Sequence, residues 1–101
     1  MIKITADIGK GSVKAEGHSG FDVKGRDIVC AAVSMLLYTY LEELRKLGVR
    51  AGFSDDGDKF EICPECCAPE VMTAFEMLLS GLRLLERSYG ENVELEVLKI
   101  G

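Results

Sequence analysis

Apolar positions alternate with polar ones in residues 1–6, where Ile2 and Ile4 share a face, and again in residues 12–16, where Val13 and Ala15 do. A period of two predicts strands, and the Gly9-Lys10-Gly11 segment between them has the backbone freedom of a turn, so the chain opens with a hairpin. The period then changes. From residue 28 to 47 the apolar positions are Ile28, Val29, Ala32, Val33, Leu36, Leu37, Tyr40, Leu41, Leu44 and Leu47, the three-four spacing of a helix with one broad buried face. Gly48 is placed to end it in a left-handed conformation. A second hairpin is expected from residues 49–53, the turn "SDDGD" and residues 59–63, with Phe60 and Ile62 on one face. Pro69 opens a second helix at its first position, with Val71, Met72, Phe75, Leu78, Leu79, Leu82 and Leu85 as its stripe and Gly90 as its end. Residues 93–98 alternate again. The order ββαββαβ predicts a two-layer α+β fold, two helices on one face of a mainly antiparallel sheet, and the two halves look like a doubled β-β-α unit.

Length changes this picture little: 101 residues suit one domain, residues 1–101, with a single core. Charge excludes more. A formal net charge of −5 is the wrong sign for a protein that grips a phosphate backbone, and it favours a basic protein or peptide partner. No apolar run approaches the ~18 residues of a membrane span, and the opening Met-Ile-Lys-Ile lacks the apolar core of an export signal. The expectation is a cytoplasmic protein with no membrane and no direct nucleic-acid contact. Its four cysteines are then reduced, catalytic or metal-binding rather than paired in disulfides.

One histidine, His18, precedes one cysteine, Cys30, by twelve positions. Asp27 stands where an N-cap carboxylate would accept from the first turn, which makes Cys30 the third helical residue, near the positive end of the helix dipole. A helix dipole supplies ~0.3–1 kcal/mol, worth less than one pKa unit, so a cysteine that attacks at neutral pH needs a second helper. An imidazolium in contact is the usual one, and His18 is the sole candidate. A loop bearing Gly17, Gly20 and Gly25 can fold back over the helix start to bring ring and sulfur together, and its glycine borders predict disorder from residue 19 to 24 before substrate arrives. Free first-turn N–H groups are available for an oxyanion. The plainer alternative is a buried cysteine and an unrelated surface histidine.

The stretches "GHSGF" and "GRDIVCAAVSML" decide between them. Together they resemble the signature of the bacterial ribosomal-processing cysteine proteases, the Prp family: a G-H-A-G element, a short variable loop, then G-x-D-I-V-C-A-A-V-S. The match keeps the twelve-residue interval and the octapeptide 27–34, and departs at Ser19, where alanine is more usual. The resemblance implies a homodimeric cysteine endopeptidase that needs no cofactor and removes the N-terminal extension of a large-subunit ribosomal protein precursor of the bL27 type. It implies Cys30 as nucleophile and His18 as general base and later acid, with Gly17, Gly20, Phe21 and Gly25 in the substrate loop. Asp27 either orients His18 or caps the helix. Asp22 reads as a solvated loop charge, and Ser34, one turn below Cys30, either supports the site or bonds back to a helix carbonyl.

The resemblance gives no role to the cysteines of "EICPECCAPEVM". Cys63, Cys66 and Cys67 fall between a predicted strand and a predicted helix, as redox C-x-x-C motifs do, so a thiol-disulfide oxidoreductase is one rival reading. A zinc site is another, although one knuckle supplies fewer than the usual four ligands. The expectation for these three is a packed strand end. A non-catalytic module that binds ribosomal-protein tails is the third rival. The "SDDGD" stretch lacks the ligand series of a calcium loop and reads as a simple turn.

Overall fold

The computed structural model describes residues 1–23 and 26–99. Its elements are β1 (Ile2–Asp7), β2 (Ser12–Glu16), α1 (Ile28–Lys46), β3 (Ala51–Asp55), β4 (Lys59–Pro64), α2 (Pro69–Ser88) and β5 (Val93–Leu98). The ββαββαβ order is the one the periodicities predict. The five strands form one sheet in the order β3-β4-β2-β1-β5. All pairings are antiparallel except β1 with β5, where Ile2 stands opposite Val93 and Asp7 opposite Leu98.

The core lies between one sheet face and the two helices. Ile2, Ile4 and Ala6 of β1, Val13 and Ala15 of β2, and Phe60 and Ile62 of β4 are all buried. From α1 they meet Val29, Val33, Leu37, Tyr40, Leu41 and Leu44, and from α2 they meet Val71, Phe75, Leu78, Leu79 and Leu82. Each large side chain of this kind contributes ~1.5–3 kcal/mol by leaving water, which is why the apolar stripe rather than helix propensity fixes these helices. The helices approach closely at Gly81, where an added Cβ would lie 2.7 Å from a Leu36 methyl.

Two boundaries differ from the sequence expectation. β3 begins at Ala51, not at residue 49, because Gly48 and Val49 are used to close α1. Gly48, at φ +73°, donates to the Arg45 carbonyl at 3.0 Å and Val49 donates to that of Leu44 at 2.9 Å, the paired bonds of a Schellman motif. β3 also absorbs Ser54 and Asp55, so the turn shrinks to residues 56–58. At the end of α2 the cap is Tyr89, whose carbonyl accepts from Asn92 and Val93 at 2.8 and 3.0 Å. Gly90 follows, where a Cβ would sit a tight 3.0 Å from the Glu86 carbonyl oxygen. Among the described residues no helix is long and apolar enough to cross a membrane.

Candidate active site

The pairing of β2 with β4 sets Glu16 opposite Lys59. One step further the Gly17 N–H donates to the Asp58 carbonyl at 3.0 Å. Gly17 stands at φ +89°, and a Cβ on it would lie 2.6 Å from the Met1 carbonyl oxygen. Backbone handedness and lack of space both demand glycine there. The chain therefore leaves the sheet at a fixed point, and His18 follows with its Nε2 2.9 Å from Asp58 Oδ1. Both side chains are largely in solvent, at 64% and 81% exposure.

Asp58 occupies the β3–β4 turn, whose shape other carboxylates set. Asp55 Oδ1 accepts from Gly57 N–H at 3.0 Å, and Asp56 Oδ1 accepts from the N–H groups of Asp58 and Lys59 at 2.9 and 2.8 Å. Those backbone bonds, Asp58's first, hold the Asp56 carboxyl below its usual range. Gly57 supplies the left-handed residue, at φ +93°. The turn thus uses Asp58's backbone and leaves its carboxylate to His18. Lys59 Nζ is engaged 3.2 Å from Glu61 Oε1.

Cys30 enters from α1. Asp27 is the N-cap, and its Oδ1 accepts from Val29 N–H at 3.0 Å and Cys30 N–H at 2.9 Å. Its Oδ2 accepts from the Ser19 hydroxyl. Partial burial pushes the Asp27 carboxyl up, but the bonds from Ser19, Cys30 and the Asp22 backbone outweigh it and bring it down to about 2. Of the two roles open to Asp27, these contacts describe the cap, and the carboxylate that faces His18 is Asp58. The cap also corrects an expectation. The N–H groups of Val29 and Cys30 are already occupied by Asp27, so a developing oxyanion must draw on other donors.

His18 and Cys30 line one groove of about 560 Å³. Gly17, Gly20 at φ +71°, Asp22, Asp27 and Ser34 also line it. Asp55, Asp58 and Lys59 border it as well, which leaves its charge predominantly negative. Tyr38 and Phe60 form an aromatic wall with ring centroids 5.3 Å apart, and the Tyr38 hydroxyl donates to Asp55 Oδ2 at 2.5 Å. That bond raises the Tyr38 pKa. Ser34 is exposed to the groove, unlike Thr39, Thr73 and Ser80, whose hydroxyls bond back to the carbonyl four residues earlier.

Within the loop after β2, Ser19 is the anchored residue. Ser19 is 2% exposed, its hydroxyl accepts from Phe21 N–H at 3.1 Å, and its carbonyl accepts from Asn92 Nδ2 at 2.9 Å. Phe21 packs edge-on against Tyr89 at 5.5 Å, so its ring meets the end of α2 instead of the groove. Gly25 lies outside the described residues.

The other three thiols differ from the packed strand end expected of them. Cys63, Cys66 and Cys67 are all exposed, because Cys63 takes the outward parity of β4 and the other two sit in the loop before α2. Cys67 Sγ lies 3.4 Å from the Gly9 carbonyl oxygen. Among the described residues no three His, Cys, Asp or Glu side chains are grouped to hold a metal. The residue that the structure brings to His18 and that sequence reasoning did not single out is Asp58. Its signal was the acidic "SDDGD" turn, read together with the strand pairing that sets residue 58 against residue 17.

A family model described as cysteine protease Prp matches residues 1–94. The ribosomal processing cysteine protease Prp of Mycoplasma pneumoniae is 31% identical over 95% of this chain and 94% of its own length. That of Bacillus subtilis is 30% identical over 91% and 89%. The crystal structure of an essential ribosomal processing protease Prp from S. aureus, in complex with a covalently linked product peptide, superposes with a TM-score of 0.82. It is 30% identical and covers 95% of this chain and 96% of its own.

Proposed function

Because this chain belongs to the cysteine protease Prp family, and is a cysteine protease of ribosomal processing, we propose that it cuts the N-terminal extension from a large-subunit ribosomal protein of the bL27 type. Cys30 is the nucleophile in this reading and His18 the proton carrier. The observation that carries it is that these two residues, delivered by different elements, line one groove of about 560 Å³. The S. aureus relative's covalently linked product peptide supports the same chemistry here.

The steps follow from the groups present. His18 takes the thiol proton, and the sulfur attacks the scissile carbonyl carbon to form a tetrahedral oxyanion. Collapse breaks the C–N bond while the imidazolium gives its proton to the leaving amine, which leaves a thioester on Cys30. Water, deprotonated by the neutral ring, attacks the thioester and releases the carboxylic acid, and the proton returns to sulfur. With Nε2–H donating to Asp58, the neutral ring carries its lone pair on Nδ1, the atom that would take each proton. The negative groove rim, Asp22, Asp55 and Asp58, favours a basic peptide. Gly17 and Gly20 fix the path of the loop beside it, Asp27 supports the helix start that presents Cys30, and Ser34 lines the groove one turn below.

We place the enzyme in the cytoplasm as a homodimer, the setting in which a ribosomal precursor is met. Incubating a peptide that spans the extension with the protein and with Cys30→Ala tests the reading. Two fragments from the first and intact peptide from the second are expected. Cleavage retained in the variant contradicts the nucleophile, and intact peptide bound by both proteins makes the chain a tail-binding module.

A further inference from the structure

Building on the Cys30–His18 reading, we infer that Asp58 is a positioning residue for the reaction, which holds the His18 ring through Nε2 so that Nδ1 faces the thiol. Four observations carry this. The Nε2–Oδ1 distance is 2.9 Å, a full hydrogen bond between residues forty positions apart. The backbones beside the two side chains are themselves joined, Gly17 N–H to Asp58 carbonyl at 3.0 Å, so ring and carboxylate stand just beyond the paired ends of β2 and β4. The turn is shaped by the side chains of Asp55 and Asp56, which leaves the Asp58 carboxylate with no part in folding the turn. Finally, Asp27, the other carboxylate that could orient His18, is committed to Ser19 and the first turn of α1.

A free imidazole on a surface loop samples several rotamers and both tautomers, and only one combination presents a lone pair to Cys30. A carboxylate that accepts the Nε2 proton selects that combination and favours the imidazolium formed when the thiol ionises. Both partners are in solvent, at 64% and 81% exposure, so the effect is smaller than the ~10⁴-fold of a buried triad acid. A kcat loss of roughly 5- to 30-fold on removing the carboxylate is expected, between that limit and the small worth of an exposed ion pair.

The test compares wild type, Asp58→Asn, Asp58→Glu and His18→Ala on a peptide spanning the extension, with kcat and KM measured separately and thermal melts run on each. The expected result is a fall in kcat for Asp58→Asn with KM and melting temperature unchanged, and recovery of most of the loss in Asp58→Glu, which keeps the carboxylate on a longer exposed arm. Asp58→Asn with kcat within twofold of wild type overturns the inference. A loss confined to KM does so too, since it makes Asp58 a substrate contact, and a lowered melt unrelieved by Asp58→Glu makes it a fold residue. His18→Ala separates the levels: if it cleaves like wild type the reading of the site fails, whereas a dead His18→Ala beside an indifferent Asp58→Asn sinks only the role of Asp58.

Discussion

The two ends of β2 and β4 hold similar materials in different settings. At one end the chain leaves the sheet through Gly17 into His18, faces Asp58 across the strand pair, and shares a groove with Cys30 at the start of α1. At the other end the Gly9–Gly11 turn meets Cys67, with Cys63 and Cys66 close to it in sequence, three thiols to the first end's one. Cys63 lies four residues along β4 from Lys59, which at the strand rise is about 13 Å away. The crowded end has no imidazole. Its thiols sit in solvent, two of them beside backbone carbonyls at 3.4 and 3.9 Å, which are hydrogen-bond acceptors and not cations. The sparse end sets one half-buried thiol on a capped helix in a groove shared with the chain's single histidine. Neighbours, not number, make a thiol useful.

Substitution at the two ends sharpens this contrast most. Cys30→Ala is expected to lower cleavage by roughly 10³-fold or more, whereas replacing Cys63, Cys66 and Cys67 together by serine leaves it within about twofold. Chromatographic separation of the two fragments reads both. Glycine replacement comes next. Gly17→Ala forces a side chain to φ +89° and onto the Met1 carbonyl oxygen, with an expected loss of about 2–3 kcal/mol in denaturant unfolding and a parallel fall in cleavage as His18 shifts. Gly11→Ala at the far end, φ +64°, meets the Tyr40 hydroxyl at 3.1 Å and makes ordinary contacts of 3.7 Å with Met72 and Pro64, so a loss of about 1 kcal/mol with normal cleavage is expected.

The cap of α1 gives a pH signature. Asp27→Ala should lower the melting temperature at neutral pH by roughly 5 °C. The folded Asp27 carboxyl titrates at about 2, below its ordinary 3.8. Its stabilisation is therefore complete above the unfolded value and disappears as pH falls through the folded one. The gap between wild type and variant should close between about pH 4 and pH 2. A gap that persists at pH 2 would mean that Asp27 acts through its shape and not its charge. Smallest is Tyr40→Phe. Its hydroxyl donates to the Gly11 carbonyl at 2.6 Å in the core, and burial raises its pKa well above the usual value. Losing that bond should cost about 1 kcal/mol without touching cleavage.

Local signals wrote much of the fold into the sequence. The switch between periods of two and 3.6 located all seven elements, and Pro69 and Gly48 stood at the helix boundaries. The start of β3 was misplaced because the Schellman motif of α1 takes up Val49, a β-branched residue that by itself reads as strand. At the site, Cys30 and His18 were visible through a motif within one stretch of chain. Asp58 was not, because its partner is forty positions away and is reached only through the register of β2 on β4. Asp27 illustrates the same limit. Its spacing from Cys30 fits a cap or an orienting acid equally well, and its actual contacts depend on where Ser19 lands.

The central claim is that one thiol of four, Cys30, carries the acyl group. Rapid acid quenching during turnover of a peptide spanning the extension, followed by digestion and mass spectrometry, would locate that group directly. The expected result is a thioester adduct of the N-terminal fragment on the segment containing Cys30 and on no other cysteine. An adduct on Cys63, Cys66 or Cys67 would contradict the account.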